Sequence, residues 1–299
     1  MDKQPTVYYY LQYVIKTLIY SRLWVAFCVF AFTQTAFVLF TEVKGISVYS
    51  VILALGSYLL YVLPFLYYGA KGVIRASNPR QLWVEKRLNR LYITTTLVAL
   101  ATLAMAFFYF DVFLRVLYYS APVGLLTVLY ELPLIRFRGR FMALRQIGWL
   151  KPFLLALVWW YMGAYVVAID KADDISCFVT YLTITDKWLL FLQYVLMLVL
   201  SVLFDVRDTE ADRLAGIRTW PVALGIAPTK KVLLLLCLLS ISVATTVLPS
   251  GGFILCYACV FGLLAVYTFL PLYKLPWWFY DIAVDGILVL QWVLLVVLL

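Results

Sequence analysis

Long apolar runs separated by short polar segments recur from Leu23 to the last residue of the 299-residue chain. Each run holds about 18 or more apolar residues, the length with which an α-helix crosses the roughly 30 Å hydrocarbon core of a bilayer. The runs lie at approximately residues 23–40, 46–67, 92–110, 112–132, 151–169, 187–204, 231–248, 252–272 and 281–299. The pattern therefore predicts an all-α polytopic membrane protein with nine transmembrane helices, folded as a single domain over residues 1–299.

The fourth predicted span has the weakest boundary with its neighbour. Asp111 is the only clear break between the third and fourth spans, and Arg115 falls in the first turn of the fourth. A long basic side chain near a helix end can extend to the membrane interface. Arg115 is therefore compatible with a span at residues 112–132.

The basic residues alternate between the two predicted faces of the membrane. Nearly all of them lie in the N-terminal tail or after an even-numbered span, and the exceptions are Lys44, Arg115, Lys171 and Lys187. Lys and Arg collect on the cytoplasmic side of membrane proteins. We therefore expect a cytoplasmic N-terminus, with the C-terminus on the opposite face. The long loops after spans two and six lie on the basic side, so a working site is expected at the cytoplasmic mouth of the bundle.

The amino-acid composition also indicates a membrane protein, and it reduces the set of expected binding partners. Hydrophobic residues make up 66% of the chain and charged residues 13%, and the mean hydropathy is +0.98. A soluble domain has about twice that charged fraction. The topology already accounts for the net charge of +9, and no soluble basic domain remains. We therefore expect the lipid bilayer, and no nucleic acid, as a partner.

Three carboxylates follow the sixth predicted span in a chain that contains no histidine. They are Asp205, Asp208 and Asp212, at positions i, i+3 and i+7, which share one face of a helix. Ligands that are all oxygen favour a hard cation, with Mg²⁺ the expected one. The alternative is a solvated helix end whose carboxylates pair with Arg207 and Arg213.

The segment around these carboxylates resembles the second aspartate-rich motif of the UbiA superfamily of intramembrane prenyltransferases. The matching residues are Asp205, Asp208, Asp212, Ala215-Gly216-Ile217, Thr219, Pro221 and Leu224-Gly225. The nine spans and the position of the motif after the sixth also resemble the family's architecture. Weaker similarities are the segments 119–122 and 151–159.

The resemblance implies chemistry on an isoprenyl diphosphate with Mg²⁺ as cofactor. Asp205, Asp208 and Asp212 would be the metal-binding and catalytic residues. The residues that would contact the diphosphate are Arg213, Lys71, Arg75, Arg80 and Lys151. The acceptor would be hydrophobic, of aromatic or quinone-precursor type. In a terpene-cyclase variant, the isoprenyl chain would instead react with itself.

The chain departs from the family where the first aspartate-rich motif is expected, at the end of the second span. No carboxylate occurs between Glu42 and Glu85. Basic side chains of the following loop could contact a diphosphate directly through charge-assisted hydrogen bonds. Asp281 and Asp285 at the start of the ninth span could supply ligands or could cap that helix. A competing hypothesis is a non-catalytic member of the superfamily that binds an isoprenoid lipid.

Overall fold

Helices account for nearly all of the regular structure in the computed structural model, which describes residues 6–70, 79–131, 135–137, 140–170, 182–276 and 278–299. The first half of the chain forms α1 (Thr6–Tyr20), α2 (Leu23–Thr41), α3 (Val48–Ala70), α4 (Pro79–Glu85), α5 (Leu88–Phe108) and α6 (Phe110–Glu131). The second half forms α7 (Lys151–Trp160), α8 (Val166–Asp170), α9 (Ile184–Arg207), α10 (Thr209–Leu214), α11 (Trp220–Leu224), α12 (Ile226–Val247), α13 (Gly251–Phe269) and α14 (Gly286–Leu298).

Shorter elements join some of these helices. Two three-residue strands, β1 (Ile135–Phe137) and β2 (Arg140–Met142), pair antiparallel with Arg136 opposite Phe141. A π-helical turn over Tyr161–Tyr165 joins α7 to α8, and a second one over Phe279–Val284 precedes α14. Single 3₁₀ turns occur at Leu144–Gln146 and Leu272–Lys274.

Eight helical segments of the described chain are long and apolar enough to cross a membrane. They are Leu23–Thr41, Val48–Tyr67, Leu88–Phe108, Lys151–Ile169, Ile184–Arg207, Ile226–Val247, Gly251–Phe269 and Phe279–Leu298. All eight coincide with predicted spans, so the prediction of an all-α polytopic protein is confirmed at this level. The remaining predicted span, at residues 112–132, falls on α6, whose last side chains lie outside the described residues. Its crossing of the membrane stays a prediction.

The chain divides into two compact units. The first unit comprises Met1–Ala31 with Ile46–Val116, and the second comprises Phe32–Gly45 with Leu117–Leu299. In the first unit, apolar side chains of α2, α3, α4 and α5 form a core, and its buried members are Ala26, Tyr58, Val62, Val84 and Leu91. The Tyr58 hydroxyl lies 3.2 Å from the Thr94 hydroxyl, so this polar tip has a partner inside the core.

In the second unit, α9 is apolar over most of its length. In an apolar 18-residue window of this helix, 78% of the residues are buried. Most of its surface therefore packs against other parts of the protein. One neighbour is α7, whose Trp160 donates a hydrogen bond from Nε1 to the Leu190 carbonyl at 2.7 Å. The end of α7 thus lies beside the first half of α9, and Lys151 at its start lies beside Asp205 in the last turn of α9. The two helices are therefore antiparallel.

A close approach inside the second unit shapes the π-helical turn after α7. Gly163 lies in this turn, and a Cβ placed there would fall 2.5 Å from Cε1 of the fully buried Phe32. Only glycine leaves enough room for the Phe32 ring. Such turns insert one residue into a helix and change the direction of the side chains that follow.

Candidate functional site

The aspartate segment is a helix with a break at Asp208. The Asp208 backbone has φ −90° and ψ 9°, which ends α9 and starts α10. Hydrogen bonds still cross the break, since the Asp212 amide donates to the Asp208 carbonyl at 2.8 Å. Asp205 and Asp212 therefore remain on one face, as the i, i+7 spacing predicts.

The end of α10 explains why glycine follows the carboxylates. Gly216 has φ +71°, a left-handed conformation that glycine adopts without steric cost. Its amide donates to the Arg213 carbonyl at 3.1 Å, and the Ile217 amide donates to the Asp212 carbonyl at 2.9 Å. These two bonds define a Schellman motif, which satisfies the free carbonyls of a helix end. The Ala-Gly-Ile part of the sequence motif thus terminates the helix that carries Asp212.

Asp205 and Asp212 converge on one cation, the ammonium group of Lys151. The Lys151 Nζ lies 2.9 Å from Asp205 Oδ1 and 3.3 Å from Asp212 Oδ2. Both carboxylates are buried, with only 2% and 10% of their side-chain surfaces exposed. The second oxygen of Asp205, Oδ2, is buried and has no hydrogen-bond partner. A buried carboxylate in this state is a strong acceptor for a further cation or donor.

Asp208 points to a different partner. Its carboxylate accepts hydrogen bonds from Arg207 at 2.7 Å and 2.8 Å, in the two-pronged geometry that arginine favours. The three aspartates therefore do not meet at one point. The structure brings Asp205 and Asp212 together and leaves Asp208 beside them in its own ion pair, because the backbone at Asp208 departs from the helix.

Arg207 contacts two aromatic rings and lies near a second pair of aspartates. Its guanidinium lies 4.8 Å from the Phe204 ring centroid and 5.6 Å from that of Tyr280. It also interacts electrostatically with Asp281 and Asp285. The two aspartates at the start of the last span are thus within electrostatic range of the arginine that pairs with Asp208. Arg207 itself was predicted only as an ion-pair partner, because its role depends on the packing of a distant segment.

Packing of the preceding loop fixes the position of Lys151. A Cβ on Gly148 would lie 2.6 Å from the Arg218 carbonyl oxygen, so the two backbones touch there. The Trp220 indole donates from Nε1 to the Trp149 carbonyl at 3.1 Å, and its ring packs edge-on against Phe153 at 5.4 Å. The start of α7 is thereby attached to the segment that follows the aspartate motif.

The other predicted diphosphate contacts lie in several places. Arg213 is exposed and pairs with Glu210 at 2.8 Å. Arg80 belongs to the first unit, where its guanidinium lies 5.6 Å from the Tyr20 ring centroid. Lys71 and Arg75 lie outside the described residues. Of the predicted diphosphate contacts that are described, Lys151 is the one held against the carboxylates of the motif.

Further basic residues of the first unit surround Tyr13, on the predicted cytoplasmic side. The Arg90 guanidinium donates to the Tyr13 hydroxyl at 3.0 Å, and Arg87 lies 5.5 Å from the Tyr13 ring centroid. A hydrogen bond from Arg87 and the charge of Arg90 lower the pKa of Tyr13. Positive charge is thus concentrated at this end of α5.

The donor set can be compared with the needs of Mg²⁺. Within the described ranges, no group of three or more Cys, Asp or Glu side chains is placed to hold a metal ion. Mg²⁺, however, is commonly held by one or two carboxylates, with phosphate oxygens and waters completing its shell. Asp205 and Asp212 fit that smaller requirement, since their oxygens already converge on a cation and Asp205 Oδ2 has no partner.

Fold and site together define a class, a polytopic helical membrane protein with an ion-paired acidic cluster at one end of its most buried span. Comparison of the chain with family models, with curated proteins and with solved structures finds no match. A functional proposal for this protein therefore depends on the residues of the cluster, Asp205, Asp212 and Lys151.

Proposed function

We propose that the protein is an integral-membrane prenyltransferase of UbiA type, which transfers an isoprenyl group from an isoprenyl diphosphate to a hydrophobic acceptor. The observation that carries the proposal is the buried pair Asp205 and Asp212 on a single cation, at the end of the apolar helix α9. Burying two carboxylates is costly and is seldom retained without a task. The resemblance of the surrounding motif supplies the reaction class and the acceptor type, an aromatic or quinone precursor.

The membrane arrangement that we propose has nine crossings. The eight apolar helices supply eight of them, and α6 supplies the ninth. The N-terminus and the aspartate site then face the cytoplasm, and the prenyl tail lies among the apolar helices. The antiparallel pairing of α7 and α9 agrees with two consecutive crossings, because it brings Lys151 and Asp205 to the same end of both helices.

We assign the following roles to the residues of the site. Asp205 and Asp212 hold Mg²⁺, and Asp208 joins them if it exchanges Arg207 for the metal. Bound Mg²⁺ would neutralise the negative charge of the departing diphosphate. Lys151 and Arg213 hold phosphate oxygens by charge-assisted hydrogen bonds. By their positions in the sequence, Lys71, Arg75 and Arg80 belong to the predicted cytoplasmic connection after the second span and would add positive charge on that side.

One observation favours a second candidate, a protein that binds an isoprenoid lipid without transferring it. The Lys151 ammonium already neutralises part of the charge of Asp205 and Asp212, and Arg207 already binds Asp208. An acidic cluster balanced by its own cations can be stable without metal. The absence of carboxylates between Glu42 and Glu85 agrees with this candidate as well.

The deciding experiment measures Mg²⁺-dependent pyrophosphate release from a panel of isoprenyl diphosphates, with and without a lipid extract as acceptor source. The variant is Asp212→Asn, and the matched control is Asp111→Asn, the same substitution at an exposed carboxylate on α6. Release that depends on the extract, falls at least about 100-fold in Asp212→Asn and persists in Asp111→Asn supports a transferase. Release without extract that yields cyclic products identifies a cyclase. No release by folded protein, with retained binding of an isoprenoid lipid, overturns the enzymatic proposal.

A further inference from the structure

We propose that the Lys151 ammonium and a divalent cation are alternative occupants of the Asp205–Asp212 pair, so that Lys151 couples metal binding to diphosphate binding. In the ion-paired state Lys151 holds the two carboxylates. When a metal takes them, the displaced ammonium becomes a phosphate ligand. This proposal rests on the proposed function only in assigning a divalent cation and a diphosphate to this site.

The geometry leaves one position for a cation between the two carboxylates. Lys151 Nζ lies 2.9 Å from Asp205 Oδ1 and 3.3 Å from Asp212 Oδ2. A Mg²⁺ ion binds carboxylate oxygens at roughly 2.0–2.1 Å, so an ion that bridges Asp205 and Asp212 would lie beside the position that Lys151 Nζ occupies. The ammonium and the metal would then be only a few ångströms apart in a buried site, where like charges repel strongly. Simultaneous occupancy is therefore unfavourable.

Charge balance favours exchange over addition. Asp205 and Asp212 together carry two negative charges, and Lys151 supplies one positive charge. A divalent ion that replaces Lys151 makes the buried pair neutral, whereas a divalent ion that joins Lys151 leaves an excess positive charge. Asp205 Oδ2, buried and without a hydrogen-bond partner, shows that the lysine alone does not satisfy the pair. A metal can bind this oxygen together with the one that Lys151 vacates.

Lys151 can leave the carboxylates without any change in the backbone. It is the first residue of α7, and the contacts that hold this segment belong to Gly148, Trp149 and Phe153. The Lys151 side chain is 18% exposed, so it is not fully enclosed by the protein. Its flexible four-carbon stem lets the charge swing while the helix start stays fixed. An anionic group arriving with the metal offers the ammonium a new partner.

The ion pair of Asp208 with Arg207 provides an internal contrast. That pair involves adjacent residues, and its side chains are 35% and 37% exposed. It is more hydrated and does not hold a cation between two buried carboxylates. Competition with a metal should therefore be strongest for Lys151.

The test uses Mn²⁺ as the probe, because its binding is read directly by electron paramagnetic resonance without any isoprenyl substrate. Purified protein in detergent is titrated as wild type, Lys151→Met, Lys151→Arg and the control Lys231→Met. Lys231 is an exposed lysine on α12, so its replacement makes the same charge change away from the carboxylates. We expect Lys151→Met to bind Mn²⁺ about tenfold more tightly than wild type. Lys231→Met and Lys151→Arg should stay close to wild type.

A second titration adds inorganic pyrophosphate. Pyrophosphate binds Mn²⁺ in solution, and this effect is subtracted with a titration that contains no protein. In wild type, pyrophosphate should still increase the affinity of the protein for Mn²⁺, because the released Lys151 ammonium binds the pyrophosphate. This extra coupling should be lost in Lys151→Met and kept in Lys231→Met. Equal Mn²⁺ affinity in Lys151→Met and Lys231→Met, or equal coupling in both, overturns the proposal.

A measurement on the wild-type protein alone covers the case in which Lys151→Met does not fold. Mn²⁺ should increase the reactivity of Lys151 toward an amine-specific acylating reagent, quantified by mass spectrometry with Lys231 as the internal standard. Protection of Lys151 by Mn²⁺, or no change, contradicts the exchange. These readouts are independent of prenyl transfer, so the exchange can fail while the enzyme is active and can hold while no transfer is found.

Discussion

At the scale of single residues, the site is a set of charges held at different depths. Asp205 is almost completely buried beside Lys151, whereas Asp208 is about one-third exposed beside Arg207. Breaking a buried ion pair leaves a charge without compensation, and breaking an exposed pair costs little. The two aspartates are chemically identical and only three positions apart, yet their replacement should have different consequences.

We expect Asp205→Asn to lower the free energy of unfolding by about 3 kcal/mol, because the Lys151 ammonium loses its closer partner. Asp208→Asn should lower it by less than about 1 kcal/mol, since water can solvate Arg207. Denaturation in mixed micelles with increasing dodecyl sulfate, followed by tryptophan fluorescence, measures both values. If both variants lost the same free energy of unfolding, the burial of Asp205 would not explain its contribution to stability.

The sequence predicted part of this residue arrangement. The i, i+7 spacing of Asp205 and Asp212 requires a shared face on any helix, and the structure keeps that face. The ion pair of Asp208 with Arg207 was foreseen only as one alternative, because it depends on the backbone angles at a single residue. Lys151 was expected near a diphosphate, but nothing in the 53 positions between it and Asp205 indicates that its ammonium lies on the carboxylates.

At the scale of elements, the π-helical turns interrupt spans that otherwise read as uniform apolar helices. The turn over Tyr161–Tyr165 contains Gly163 against Phe32, and the turn over Phe279–Val284 contains Asp281. Apolar runs predicted the spans because a length of about 18 apolar residues suffices for a helix in a bilayer. They did not predict these turns, since the inserted residue is stabilised by contacts with other helices.

We expect Gly163→Ala to lower the free energy of unfolding by about 1–3 kcal/mol, because the added methyl group overlaps the Phe32 ring. The matched control is Gly262→Ala on α13, where a Cβ meets nothing within 4 Å. That replacement should change stability by less than about 1 kcal/mol, in the stabilising direction that helix propensity favours. The same dodecyl sulfate titration compares the two. Combining Gly163→Ala with Phe32→Leu should recover part of the loss; a fully additive double variant would exclude the overlap as the cause.

At the scale of the whole molecule, the number of crossings decides which residues share a side of the membrane. Eight apolar helices are shown, and α6 would be the ninth. Lys16 lies before α2, Gln146 follows α6, and Ser250 lies between α12 and α13. If α6 crosses, Lys16 and Gln146 face the same side. If it does not, they face opposite sides.

Single cysteines placed in a cysteine-free background test this count. With nine crossings, Lys16→Cys and Gln146→Cys should react with a membrane-impermeant maleimide only from the cytoplasmic side. Ser250→Cys should react only from the opposite side. Sealed vesicles of both orientations, compared by mass spectrometry of the labelled protein, give the answer. Labelling of Lys16→Cys and Gln146→Cys from opposite sides would remove α6 from the bundle.

The length of α9 links the site to the membrane around it. At 24 residues the helix is about 36 Å long, which exceeds a hydrocarbon core of roughly 30 Å. The excess length is polar, since Asp186 and Lys187 lie in its first turn and Asp205 and Arg207 in its last, so the ends of the helix extend into the interface. The last turn of α9, which carries Asp205, then lies near the headgroups with Lys151 of α7 beside it, and its depth changes with the thickness of the bilayer. Lipid chain length thereby becomes a determinant of how well water and polar ligands reach the two carboxylates.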